Sequence, residues 1–164
     1  MERFNNVPDF GELFNQRPVA RARVNGSILY PDIQGDVWFY QNEYGVLVVA
    51  DVEGLPNSNG NCKSPIFAMH IHEGESCSGN ATDPFANVGE HYNPYNCPHP
   101  YHAGDLPPLF GVRGNAFSVV LTERFRLEDI IGKTIIIHSS VDDFGSQPSG
   151  NAGGKIACGE IKVY

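Results

Sequence analysis

The stretch Ile66-Phe-Ala-Met-His-Ile-His72 constrains this chain more than any other. Read as a β-strand, its side chains alternate between two faces. Phe67, Met69 and Ile71 then point into a core, and His70 and His72 stand side by side on the other face. Two imidazoles on one rigid strand make half of a transition-metal site, because each can ligate through a ring nitrogen without rearrangement. A lone His-x-His is more often a pair of surface histidines, so the rest of the chain has to decide.

The surrounding pattern is all-β. Ala20, Ala22 and Val24 alternate with Arg21 and Arg23, and Val37–Gln41 is an aromatic strand. Asn42–Gly45 suits a hairpin turn, and Gly45–Val52 is apolar on both sides. Further strands are expected at Asn115–Thr122, Thr134–His138 and Lys155–Val163, with at most a turn or two of helix at Leu127–Ile131. The 18 glycines and 12 prolines, spread along the chain, fit many turns and few long helices. Seven or eight short strands of this kind predict an antiparallel sandwich or barrel. The chain's 164 residues suit one domain. Its expected limits are 18–164, with 1–17 an N-terminal extension. From residue 73 to about 114 no strand or helix pattern appears. A loop that long inside a compact domain needs a tether, either a metal, a disulfide or both. A second loop runs from Ser139 to Gly154.

Charge and hydropathy narrow the partners. A net charge of -8 without a Lys/Arg cluster speaks against nucleic acid. No apolar run approaches the roughly 20 residues that span a bilayer, so no membrane partner is expected. The N-terminus lacks the apolar core of a signal peptide, which favours the cytoplasm, or a secreted or cell-surface location if a leader has been removed. The four cysteines, Cys62, Cys77, Cys97 and Cys158, are too few for a disulfide-dense scaffold and include no Cys-x-x-Cys pair.

The six histidines are His70, His72, His91, His99, His102 and His138, all between positions 70 and 138. His99-Pro-Tyr-His102 with Asp105 is a compact set of two nitrogens and an oxygen. One more imidazole completes a tetrahedral zinc site. His70, His72, His138 and one more imidazole give the four nitrogens that suit Cu(II). Two sites of four need eight ligand positions, and seven candidates exist. One histidine is therefore shared, and His91 is the unassigned one.

Five segments now combine. Phe67-Ala-Met-His-Ile-His-Glu-Gly-Glu-Ser-Cys77, Gly89-Glu-His-Tyr-Asn-Pro94, His102-Ala-Gly-Asp-Leu-Pro107, Ile137-His-Ser-Ser-Val-Asp-Asp143 and Gly150-Asn-Ala-Gly-Gly-Lys-Ile-Ala-Cys-Gly159 resemble the signature segments of the copper/zinc superoxide dismutase family in its bacterial form. They stand in order over roughly residues 18–164. The resemblance implies an Ig-like Greek-key antiparallel β-barrel with a long metal-binding loop and a second functional loop. It implies copper on His70, His72, His91 and His138, and zinc on His91, His99, His102 and Asp105, with His91 bridging. It implies that Asp142 links the two sites through His70 and His99, and that Cys77 pairs with Cys158. A homodimer is compatible with it.

The departures carry expectations of their own. The family has an arginine near copper where this chain has Lys155, which keeps the charge and loses the planar fork of donors. Lys155 is expected to steer the superoxide anion, with His91 moving a proton. Ala68-Met69 replaces a usual Gly-Phe, so any surprise is expected in the copper geometry. Glu90 replaces a Gly or Pro and adds negative charge. Cys62 and Cys97 are extra, either paired or free. The expected activity is conversion of two superoxide anions to oxygen and hydrogen peroxide. The alternatives are a related copper- and zinc-binding protein without dismutase activity and, less well matched, a zinc hydrolase.

Overall fold

The computed structural model describes residue 11 and residues 15–57 and 65–164. The extension assigned to residues 1–17 and the position of Cys62 therefore lie almost wholly outside the described residues. Eight strands follow in order: β1 (Ala20–Gly26), β2 (Gln34–Asn42), β3 (Gly45–Glu53), β4 (Ile66–His72), β5 (Asp105–Phe110), β6 (Ala116–Thr122), β7 (Thr134–His138) and β8 (Lys155–Val163). A 3-10 turn spans Ala86–Val88 and a one-turn helix, α1, spans Leu127–Ile130. No helix among the described residues is long and apolar enough to cross a membrane.

All pairings are antiparallel, in the order β5-β4-β7-β8-β1-β2-β3-β6. The end strands β5 and β6 pack beside one another, so the sheet nearly closes into a barrel. β3 pairs with β6 rather than with β4, and β4 sits between β5 and β7. These crossings at the barrel ends make the Greek key. The inner face is one apolar core that includes Ala22, Val24, Phe39, Val48, Phe67, Met69, Ile71, Ile135 and Ile137. Burying each large side chain contributes about 1.5–3 kcal/mol. β3 is buried on both faces, as its continuous apolar run predicts. Val46 and Val48 face the main core, while Leu47 and Val49 pack with Tyr40 on the outside.

One strand departs from the sequence reading. β5 lies inside the stretch expected to be loop, and it contains Pro107 and Pro108. Proline has no N–H to give a ladder, so it is tolerated at sheet edges and bulges. β5 pairs with β4 alone, and the register slips across these prolines: Phe67 faces Leu109 while Met69 faces Leu106. The remainder of the long loop is tethered as its length requires. Cys77 is bonded to Cys158 of β8, with Cα atoms 5.7 Å apart across 81 residues of sequence. Phe85 and Val88 pack on Ile136 and Cys158, over the outer face of β7 and β8. Cys97 is a half-buried free thiol.

Candidate metal centre

β4 delivers the first two histidines as the alternation requires. Met69 and Ile71 enter the core, and His70 and His72 emerge beneath the long loop. The loop covers them, so this face of β4 is buried too. A single bridge between His72 and His91 stitches the loop to the strand. His138 ends β7, the other neighbour of β4.

The seven predicted residues form two groups that share His91: His70, His72, His91 and His138, then His91, His99, His102 and Asp105. Within each group the donor atoms lie within 4.8 Å of one another, and all seven residues are buried. Ala68 and Met69 lie on β4 between Phe67 and the first histidine pair. Both are fully buried, and the Ala68 N–H donates to the Ser140 carbonyl at 2.8 Å.

Hydrogen bonds at the far side of each ring decide which nitrogen is free. Asp142 accepts from His70 Nε2 through Oδ2 and from His99 Nε2 through Oδ1, both at 2.8 Å. The Gly89 carbonyl accepts from His72 Nδ1 at 2.9 Å. His70 Nδ1, His91 Nε2 and His99 Nδ1 are buried without a hydrogen-bond partner, His99 Nδ1 lying 3.1 Å from Asp105 Oδ2, another donor of its group. Buried polar nitrogens are costly unless something satisfies them, and a metal ion does so. Fixing a ring through its outer nitrogen also sets the tautomer that ligation requires. Spacing fits as well. Two ligand atoms about 2.0–2.1 Å from a tetrahedral ion stand about 3.3–3.4 Å apart. His91 Nδ1 and His102 Nδ1 are 3.4 Å apart, and His102 Nδ1 is 3.3 Å from Asp105 Oδ2.

Electrostatics prepare the donors. Burial drives the His70 ring far below its ordinary value, with help from His91 and His138. Burial lowers His72 to about 3 and His138 to about 4. These rings are neutral near pH 7, the form that binds a metal. Burial pushes Asp105 up, but the His91 hydrogen bond and the neighbouring rings outweigh it and leave the carboxylate ionised.

Some supports of the site carry no signal in the local sequence. Arg124, just after β6, points Nη1 at the carbonyls of Pro100, His102 and Asp105, at 3.0, 3.2 and 3.1 Å. It ties down the loop that carries three donors of the second group. Gly150 has φ +66°, and a Cβ there would stand 2.0 Å from Asp142 Oδ1 and 2.6 Å from His99 Nε2. Only glycine leaves room for that bridge. Lys155 lines a cleft of about 580 Å³ that opens over His72, His91 and His138, as does Glu90. The Lys155 ammonium is not free, because Asp83 Oδ2 lies 2.6 Å from its Nζ.

Comparison with known proteins agrees with this geometry. The family model for copper/zinc superoxide dismutase matches residues 33–161. A relative described as superoxide dismutase (Cu-Zn) 2, from Aquifex aeolicus (strain VF5), is 32% identical over 146 residues, 80% of each chain. The Cu-Zn superoxide dismutase of Legionella pneumophila is 32% identical over 136 residues, 78% of this chain and 77% of the relative. An extracellular Cu-Zn superoxide dismutase of Brugia pahangi is 27% identical over 171 residues, 90% of this chain and 80% of the relative. With its Greek-key barrel and two histidine groups joined at one ring, the chain belongs to the copper/zinc superoxide dismutase family, an oxidoreductase family whose cofactors are copper and zinc.

Proposed function

We propose that this protein dismutes superoxide, two anions and two protons yielding one oxygen and one hydrogen peroxide. The observation that carries the reading is the sharing of His91 between the two groups. Copper is assigned to His70, His72, His91 and His138, and zinc to His91, His99, His102 and Asp105. Four nitrogens suit copper, and three imidazoles with a carboxylate suit zinc. Bound copper supplies a reversible one-electron change, which zinc lacks.

The chain's own groups do the rest. His91 Nε2 faces the first group, and its Nδ1 faces the second, 2.7 Å from Asp105 Oδ1. A ring held at Nδ1 can take up a proton at Nε2 and return it, which supplies one of the two protons of peroxide. Asp142 keeps His70 and His99 in one tautomer throughout. The cleft walls admit a small anion to the face of His72, His91 and His138, and Lys155 is the cation placed to draw it in against a net charge of -8.

The test is metal content and turnover together. One copper and one zinc per chain, with dismutation that falls as salt rises, is the expected result. A preparation fully loaded with both metals that does not consume superoxide refutes the proposal.

A further inference from the structure

Lys155 raises a question that the metal donors do not answer. It is the only Lys or Arg among the described residues lining the cleft, which also contains two acids, Asp83 and Glu90. Its Nζ is 2.6 Å from Asp83 Oδ2. The other Asp83 oxygen accepts the Phe85 N–H at 3.0 Å, which fixes the carboxylate in place. Asp83 lies on the loop that Cys77 bonds to Cys158, and Lys155 lies three residues before Cys158 on β8. The disulfide and the ion pair thus join the same two segments, and the disulfide holds the carboxylate within reach of the ammonium. The Asp83 side chain is 39% exposed and that of Lys155 20%. Pairs this wet are weak and open readily.

We propose that Asp83 determines how strongly the cleft recruits small anions, by occupying the Lys155 ammonium until an incoming anion displaces it. The inference rests on the dismutase reading and deepens it. An approaching anion meets a cation that is already neutralised, with Glu90 adding repulsion on the same wall. It gains the attraction of Lys155 only in the fraction of molecules whose pair is open. Entry is therefore graded by a competition between two anions for one ammonium. Asp83→Asn removes one competitor, keeps the side-chain oxygen that accepts from Phe85, and leaves every metal donor untouched.

The experiment titrates azide, a small monoanion, into the copper- and zinc-loaded protein and follows the copper absorption and EPR spectra. It is run at several ionic strengths on wild type, Asp83→Asn, Lys155→Met and the double variant. Metal content and melting temperature are recorded for each. With a full unit of charge released near the cleft, Asp83→Asn is expected to bind azide about 3- to 10-fold tighter, with a steeper loss of affinity in salt. In the Lys155→Met background the same change is expected to gain less than about twofold, a non-additivity that assigns the effect to the pair. Wild type that binds azide while Asp83→Asn binds it equally or more weakly overturns the inference and leaves the dismutase reading standing. So does an equal gain in the Lys155→Met background. A metal-loaded wild type that does not respond to azide overturns both.

Discussion

Asp142→Ala tests the link between the two groups most directly. The Asp142 carboxylate is fully buried, as are the rings of His70 and His99 that donate to it. Removing it strands two ring N–H groups away from water. A hydrogen bond to a charged acceptor contributes roughly 1.5–3 kcal/mol. Loss of one bond per site therefore weakens each metal by about 10- to 100-fold, the range common for groups that orient metal ligands. The two losses do not look alike in a titration. Copper binds nitrogen donors more tightly than zinc does, so zinc is expected to leave first as a chelator is added. The assay is competitive chelation of the loaded variant, with copper read by its absorption and zinc by a chromophoric chelator. Asp143→Ala serves as the control. Its carboxylate caps Gly145 and Ser146 in the same loop and accepts no bond from a histidine. The reasoning is refuted if Asp142→Ala changes both affinities by less than threefold, if it loosens copper while zinc stays in place, or if Asp143→Ala does the same damage.

Three further outcomes follow from the geometry. Arg124→Gln frees the carbonyls of Pro100, His102 and Asp105, so zinc should dissociate about 10-fold faster with copper unchanged, given roughly 1.5 kcal/mol for charged hydrogen bonds; stopped-flow zinc release measures this. Replacing Cys77 and Cys158 together by serine removes a cross-link across 81 residues, which should lower stability by about 4 kcal/mol on the loop-entropy model, read by urea denaturation of the metal-free protein. The third outcome is the acid sensitivity of that metal-free state. His72 and His138 titrate at about 3 and about 4 in the fold, below their ordinary 6.5, because burial disfavours their charged forms. The unfolded chain therefore takes up protons first. Stability is at its full value above pH 6.5 and falls as the pH drops through 6 and 5 towards 4, by roughly 3 kcal/mol for each ring. Denaturation midpoints that stay flat between pH 7 and 4.5 would contradict it.

The parts of this protein that can be read from sequence are those that repeat locally. β1, β3, β4 and β7 are visible because period-two alternation and continuous apolar runs are properties of a few consecutive residues. β5 is hidden because Pro107 and Pro108 erase the strand pattern, and its place at the sheet edge, which makes them tolerable, is a fact about its neighbours. The seven donors are legible for a different reason. Imidazole and carboxylate at short spacings belong to a small set of chemistries, and counting ligand positions already requires a shared ring.

What tertiary structure alone decides is which nitrogen of each ring is free and which charge is spoken for. His70 Nδ1 and His99 Nδ1 face the metal positions only because Asp142, distant in sequence from both, occupies their opposite nitrogens, while His91 keeps Nε2 without a protein partner and Nδ1 among the donors of the second group. Arg124 is an unremarkable loop cation until the zinc loop folds over it. Lys155 reads in sequence as a free positive charge, and the fold brings Asp83 against it. Composition and periodicity specify what a residue can do, because those properties are carried by the residue and its neighbours in the chain. Which of its groups remains available depends on segments that meet only when the barrel closes.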